Sequence, residues 1–296
     1  MQLDISDESL LTYEALASSV RLHIIRLLSE KKMNNKELAK ELNLSSAIVT
    51  MHINKLEDAH LIKTERVGQQ KISSLKVDNI EISFPEKIFH AFDTYETSIP
   101  VGLYTNYQVK PTCGLATESN RIGIFDEPKY FMDPERMNAK ILWFTEGFVE
   151  YQITNFLQPD DTLEMLEISF EISSEFPFAN NEWPSDITFT LNDVELGTWT
   201  SPGDFYDARG KLTPDWWEDH LNQYGLLKTI RITNHGTNVD SNILSAVTIA
   251  DIKSEMDTWK LKIEVKEYAE NRGGCTLFGR GFGNHDQDIR VKMYYR

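Results

Sequence analysis

Cysteine is almost absent from this 296-residue chain, with only Cys113 and Cys275 present. That excludes a disulfide framework as the source of stability, because the pair could close only one very long loop and nothing else points to an oxidising compartment. Both read as free buried thiols. A thiolate zinc site is excluded too, since neither cysteine sits in a close cluster with another Cys or His. Long apolar runs are also missing. The longest are short, such as Ile141 to Phe144, against the roughly 20 residues that a membrane-spanning helix needs. The opening Met1-Gln2-Leu3-Asp4-Ile5-Ser6-Asp7-Glu8 lacks the basic start and apolar centre of an export signal, so a cytoplasmic chain without a membrane partner is expected. Positive charge is scarce: 30 Lys and Arg face 46 Asp and Glu, a net of −16.

What is present is globular in character, with 41% hydrophobic and 26% charged residues and no depletion of aliphatics of the kind that marks disorder. The length allows two separately packed domains. The acid excess would argue against nucleic acid if it were evenly spread, and it is not. Residues 1 to 78 carry eleven Lys and Arg against eleven Asp and Glu, so the whole excess falls on residues 79 to 296. Between Val20 and Lys76 the balance is eleven basic against six acidic. A basic stretch on an acidic molecule is the footprint of one domain that meets phosphate and another that does not.

Within that stretch Val20, Ile24, Leu27 and Leu28 recur at i, i+4, i+7 and i+8, which predicts a packed helix running to about Glu30. Asn34 or Asn35 can cap a short helix through Leu42 with Leu38, Ala39 and Leu42 inward, and Asn43 can end it in the left-handed region. Ser45 can cap a third helix. On it Val49, Ile53 and Leu56 face inward, leaving Ser46, Ala47, Thr50, Met51 and Asn54 on the opposite face. His52 sits between these faces and is expected at the edge of the core. Ile62 to Arg66 and Lys71 to Leu75 then read as strands flanking Gly68-Gln69-Gln70, a basic hairpin or wing. Hydroxyl and amide groups at Ser46, Thr50 and Asn54 suit base edges or phosphate, and Arg66, Gln69, Gln70 and Lys71 suit backbone or minor groove.

Three stretches carry a family resemblance: Ala15-Leu16-Ala17-Ser18-Ser19-Val20-Arg21-Leu22-His23-Ile24-Ile25-Arg26-Leu27-Leu28, Glu37-Leu38-Ala39-Lys40-Glu41-Leu42-Asn43-Leu44-Ser45, and His52-Ile53-Asn54-Lys55-Leu56-Glu57-Asp58-Ala59-His60-Leu61-Ile62. Residues 6 to 95 resemble the ArsR family of winged helix-turn-helix regulators. The resemblance implies a homodimer on double-stranded operator DNA, with the third helix in the major groove, and a repressor released by a ligand. Metal sensors of that family carry closely spaced cysteines in the helix that here reads Glu37-Leu38-Ala39-Lys40-Glu41-Leu42, so no metal and no cofactor is expected. Phe84 to Tyr95, with Pro85 near its start and Ile88, Phe92 and Tyr95 on one side, predicts a helix that pairs with the first helix across the dimer.

From about residue 111 the period changes to two. Leu166, Ile168, Phe170 and Ile172; Ile187, Phe189 and Leu191; Trp259, Leu261, Ile263 and Val265; and Ile289, Val291 and Met293 each alternate with other, mostly polar, residues. Asn192-Asp193 reads as a hairpin turn. About ten such strands predict an antiparallel β-sandwich with jelly-roll character. The expected architecture is thus α+β: a winged helix over residues 1 to 97, a linker over 98 to 110 and a sandwich over 111 to 296. Gly279-Arg280-Gly281-Phe282-Gly283 precedes a strand, whereas a dinucleotide loop opens a helix, so it reads as a turn.

Trp199, Asp204, Tyr206, Asp207, Arg209, Trp216 and Trp217 crowd one stretch of the sandwich, with Trp183, Phe205, Asp215 and His220 beside them. Aromatic faces and hydrogen-bonding carboxylates and guanidinium suit a sugar, and residues 156 to 199 resemble, by pattern, the jelly-roll carbohydrate-binding modules of glycosidases. The competing expectation is that the tryptophans fill a core. No nucleophile–base pair and no spaced carboxylate pair stands out, so no catalytic residue is named and an enzyme is not expected. The leading reading is a repressor whose sandwich senses a small ligand, a carbohydrate being the candidate. The alternatives are a glycan-active enzyme with a regulatory head, and a sandwich that only oligomerises or recruits a partner.

Overall fold

The computed structural model describes residues 1–68, 70–83 and 92–296, and backbone contacts divide the chain into two compact units, Met1–Phe89 and His90–Arg296. The first unit opens with strand β1 (Gln2–Asp4), followed by helices α1 (Leu10–Leu16) and α2 (Ser19–Glu30). A two-residue strand β2 (Met33–Asn34) leads into α3 (Asn35–Leu42) and α4 (Ser46–Asp58). The hairpin β3 (Ile62–Val67) and β4 (Gln70–Leu75) takes β2 as a third strand on the β4 side, and β5 (Glu81–Ser83) runs parallel to β1. β1, β2 and β5 were not expected, since strands of two or three residues are too short to show a period. Ile24, Leu28, Leu38, Val49, Ile53 and Leu56 meet in one buried core, with Val20, Leu27, Ala39 and Leu42 partly buried around it. Arg21 is buried as well, and its guanidinium donates to the carbonyls of Ala15 (2.5 Å) and Glu14 (2.6 Å), tying the end of α1 to the start of α2.

The second unit is a single sheet of thirteen strands, all pairs antiparallel. In chain order these are β6 (Asp93–Ile99), β7 (Asn106–Ala116), β8 (Arg121–Ile122), β9 (Ile141–Thr154), β10 (Leu163–Ser173), β11 (Ser185–Leu191), β12 (Val194–Ser201), β13 (Leu226–Thr233), β14 (Gly236–Val239), β15 (Asn242–Ser245), β16 (Thr258–Val265), β17 (Cys275–Phe278) and β18 (Ile289–Tyr295). One half runs β12-β11-β16-β9-β7-β8 and the other β15-β14-β13-β10-β18-β6. Strand β17 joins them, pairing with Ile141–Phe144 of β9 on one side and Glu171–Ser173 of β10 on the other. β9 exchanges β17 for β16 at Gly147, whose φ of +111° and approach to the Gln108 carbonyl leave no room for a Cβ. At the far edge Gly197 of β12 faces Leu244 of β15, so the sheet nearly closes into a barrel.

The alternating residues named from the sequence fill its interior: Trp259, Leu261, Ile263 and Val265 are fully buried, as are Leu166, Ile168, Phe170, Ile172, Ile187, Phe189, Leu191, Ile289, Val291 and Met293. Each such side chain contributes about 1.5–3 kcal/mol by leaving water. Asn192 and Asp193 take φ of +50° and +67°, the turn that the twist of a two-residue hairpin requires. The opposite face is not exposed throughout. On β10 Ser169, Glu171 and Ser173 are buried too, because the loop after β17 and the loop before β13 cover that end. Cys113 and Cys275 are both free and lie opposite Phe144 from its two sides. Two strand spacings, about 9–10 Å, keep them beyond disulfide reach.

Two expectations change. Of the helix expected over Phe84 to Tyr95, residues 84–91 lie outside the described residues, and Asp93–Tyr95 open strand β6 instead. The expected linker at 98 to 110 is sheet at both ends: β6 pairs along its length with β18, and β7 begins at Asn106. The local cause is period two, with Tyr95, Thr97 and Ile99 half-buried and Thr94, Glu96 and Ser98 exposed.

Candidate nucleic-acid interface and ligand cavity

α3 and α4 are fixed by their caps. The Asn34 side chain accepts from the backbone N–H of Lys36 (2.9 Å) and Glu37 (3.0 Å), and the Glu37 carboxylate accepts from the Asn34 N–H (2.8 Å). Such a box is worth about 1 kcal/mol. Asn43, at φ +55°, reverses the chain, and Ser45 accepts from the Ile48 N–H to start α4. Val49, Ile53 and Leu56 then point into the core, and Ser46, Ala47, Thr50, Met51 and Asn54 are all exposed on the other side. Ile48, which the sequence reading left out, shares that outer surface. Thr50 is already engaged: its hydroxyl donates to the Ser46 carbonyl (2.8 Å) and accepts from the Asn35 amide (3.0 Å). What it can offer a base is its methyl group and one lone pair. His52 is half-buried, and burial, then the charges of Arg21 and Lys55, hold its pKa below the usual histidine range.

In the hairpin Gly68 turns at φ +61°, and Arg66 stands directly across from Lys71, both exposed. Like charges placed opposite each other repel, and among the described residues neither has an ion-pair partner, whereas Lys63 is neutralised by Glu65 at 3.2 Å. Gln70 begins β4, and Gln69 lies outside the described residues. A pair of cations without an ion-pair partner among the described residues is a surface that a polyanion would stabilise.

The residues named for a sugar do not form one site. Trp199, on β12, packs partly into the core with the Lys228 ammonium 5.1 Å from its ring. Asp204 is wholly buried, and burial raises its pKa well above the usual carboxylate range. Tyr206 is exposed, and Asp207 accepts from the Tyr224 hydroxyl at 2.7 Å. Arg209 pairs with Asp219 and donates to the carbonyls of Pro214 and Trp217. Only this last group is drawn together: Trp216 packs edge-on against Trp217, which is buried against Trp143 and Phe282. For Trp217 and Trp259 the core-filling expectation describes what is seen.

The concave site of this unit lies beside Trp217. A cavity of about 210 Å³ has walls of Phe125, Trp143, Trp217, Phe176 and Phe178. Phe125 and Trp143 meet edge to face at 4.7 Å, and Trp143 and Trp217 at 5.7 Å. Its polar lining is Thr112, Asp126, Glu175 and Asn222. Glu175 is buried; Thr112 (3.0 Å), Thr276 (3.3 Å) and Asn222 (3.4 Å) donate to it. Burial, then the nearby Asp204, raise its pKa well above the usual range. Sequence reasoning missed this set because its polar members come from β7, the loop after β8, the end of β10 and the loop before β13. The available signal was Glu175-Phe176-Pro177-Phe178 at a strand end. No group of three or more His, Cys, Asp or Glu is arranged to hold a metal ion among the described residues, and no helix there is long and apolar enough to cross a membrane.

The Gly279–Gly283 segment is a turn between β17 and β18, as expected. Its last glycine, at φ +74°, sits so close to the Glu171 carboxylate that a Cβ would fall 2.3 Å from Oε1.

Comparison with known proteins bears on the first unit. Residues 18–64 match the family described as bacterial regulatory protein, arsR family. An uncharacterised HTH-type transcriptional regulator of Methanocaldococcus jannaschii is 44% identical over 54 residues, which are 18% of this chain. The chain spans 57% of the length of that curated relative. Among solved structures, HlyU from Vibrio cholerae is 25% identical over 23% of this chain and 73% of its own, with a TM-score of 0.22. A homodimeric winged helix-turn-helix DNA-binding domain from Mycobacterium bovis is 20% identical over 23% of this chain and 64% of its own, with a TM-score of 0.23. Capped helices, an inward Val49-Ile53-Leu56 edge and the family match agree: residues 18–64 are an ArsR-family helix-turn-helix domain.

Proposed function

We propose that the protein is a transcriptional regulator that binds operator DNA as a homodimer, acts as a repressor, and lets go when a small ligand occupies its β-sheet unit. In this reading α4 enters the major groove, where Asn54, Ser46 and the Thr50 methyl meet base edges and Ala47 and Met51 make apolar contact. Arg66 and Lys71 follow the phosphates. The observation that carries the reading is the exposed outer face of α4 in a domain whose hairpin sets Arg66 across from Lys71, both exposed. Dimerisation is supported by α1, whose Leu10 and Leu11 are about half exposed, next to a groove of about 600 Å³ along Leu3, Leu11, Thr12 and Ala59. The β-sheet unit is read as jelly-roll-like on the strength of its two six-strand halves, and as the sensor on the strength of its aromatic cavity. It is assigned no catalysis. Of the expected sugar contacts only Trp217 lines that cavity, so the ligand class is argued from the cavity itself below. A ligand releases DNA only through tighter binding to the DNA-incompetent state. The test is selection of genomic fragments on the full chain followed by footprinting: a protected, sequence-defined site weakened by Asn54→Ala is expected, and retention of no fragment refutes the reading.

A further inference from the structure

The β-sheet cavity combines three features that bear on its occupant. Its volume of about 210 Å³ exceeds the roughly 150 Å³ that holds a benzene ring, so it admits a ligand of on the order of ten non-hydrogen atoms. Its walls are aromatic faces and edges from five residues. Its polar atoms are acceptors: Asn222 spends its amide N–H on Glu175 and Thr276, Thr112 spends its hydroxyl on Glu175, and the Asp126 carboxylate accepts from the Cys113 N–H at 2.9 Å. A sugar hydroxyl needs donors as well as acceptors, and here the donors of Asn222, Thr112 and the Trp217 indole are taken.

Charge points the same way. Among the described residues no Lys, Arg or His lines the cavity, and neither Glu175 nor Asp126 has an ion-pair partner. Arg121 lies over the Phe125 ring at 4.7 Å but is paired with Glu218. Behind the wall, Asp204 accepts from the Phe176 N–H at 3.1 Å through one oxygen, and its other oxygen is buried with no donor in reach. Buried carboxylates without a cation hold a proton instead, and a cation seated against them takes that proton's place. Phe178, also a wall residue, is 67% exposed and held at φ +108°, a strained conformation for a side chain of its size. Such strain gathers at ligand clamps.

We infer that this cavity is a binding site for a small alkylated ammonium ion, seated between the rings of Trp143, Trp217 and Phe125 above the Glu175 and Asp126 carboxylates. The ring faces attract the cation through their quadrupoles and the carboxylates through charge, Glu175 once the bound cation has displaced its proton, so no hydrogen-bond donor is required of the protein. The inference rests on the sensor reading for its consequence, release of DNA, but not for the binding itself.

All six tryptophans lie in this unit, so tryptophan emission of the full chain reports the site directly. The probes are choline, its uncharged carbon isostere 3,3-dimethylbutan-1-ol, and glucose. Choline is expected to change the emission at concentrations at least about tenfold below the isostere, since a desolvated cation–π contact is worth that much, and glucose is expected to have no effect. Glu175→Gln should weaken choline several-fold and leave the isostere unchanged, and Phe178→Ala, at an exposed position, should weaken choline several-fold. Equal or tighter binding of the isostere, binding of glucose alone, or no response to millimolar choline each overturns the inference. If Glu175→Gln fails to fold, unchanged choline binding in Phe178→Ala does so. Choline that binds without changing operator affinity leaves the cation site standing and removes the sensor role.

Discussion

Glu171 is the carboxylate whose removal should be felt most clearly as a change in pH dependence. It is wholly buried on β10, and its two oxygens accept from the backbone N–H groups of Gly225 (2.8 Å), Asn284 (2.8 and 2.9 Å) and His285 (2.7 Å), pinning two loops to the sheet end. Burial pushes its pKa up to about 7, against the pull of those N–H groups and of His285, from an ordinary 4.5. Between those values the folded protein keeps a proton that the unfolded chain has lost. Stability from this group is therefore complete below about pH 4.5 and falls as pH rises to 7, by about 3 kcal/mol in all. Glu171→Gln removes the titration and leaves an amide NH₂ facing N–H donors, a loss on the order of 1–3 kcal/mol. At about pH 5 the variant should be the less stable protein, and by about pH 8 the gap should close. Urea unfolding followed by tryptophan emission, which sees only this unit, measures both. Glu175 and Asp204 also have raised pKa values and slope the same way, but they cancel in the difference between the two proteins. A gap that stays constant across the range refutes the reasoning.

The DNA-binding unit gives three further expectations. Asn54→Ala should weaken the selected operator by about 1–3 kcal/mol and leave random DNA nearly unaffected, while Lys71→Ala weakens both alike and lowers the salt dependence; equal losses for Asn54→Ala in a gel-shift comparison would remove it from the base readers. Leu11→Glu, at a half-exposed apolar position on α1, should convert the proposed dimer to a monomer in sedimentation, and a dimer that persists would move the interface elsewhere. Operator binding should be the same in chelator and in slight excess zinc, cadmium or copper, because no cysteine lies between Met1 and Lys110 and soft thiolates are what give such sensors their affinity; release at stoichiometric metal that is lost on changing His23 would refute this.

The first unit was legible because its signals are local. A cap is four residues long, and Asn34, Asn43 and Ser45 stand where the sequence put them; an amphipathic face repeats within two turns, so Val49, Ile53 and Leu56 declare which way α4 points. Failure came where two periods competed. Ile88, Phe92 and Tyr95 fit a helix, yet Tyr95, Thr97 and Ile99 fit a strand, and pairing with β18 decided the second half for the strand. The sheet was legible for the same reason as the helices, since alternation over seven or eight residues needs no knowledge of the partner strand.

The cavity was not legible, and the reason is geometric. The sequence drew attention to Trp199 through Trp217 because aromatics and carboxylates were dense there, but density along the chain is not proximity in an antiparallel sheet. Antiparallel pairing through β9 sets residues of β7 beside β17 at Phe144, although Cys113 and Cys275 are remote in sequence. β17 in turn pairs with β10 at Ser173, two residues before Glu175. Thr112, Glu175 and Thr276 are therefore neighbours at the joint where the two halves of the sheet meet, a joint that exists only because β17 serves both. Polar residues collected there are screened from water by both halves at once, which is why Glu175 is buried while Asp207, in the stretch that looked more like a binding site, lies on the surface. A reading that asked which charged residues fall at strand ends, rather than where aromatics cluster, would have stopped at Glu175.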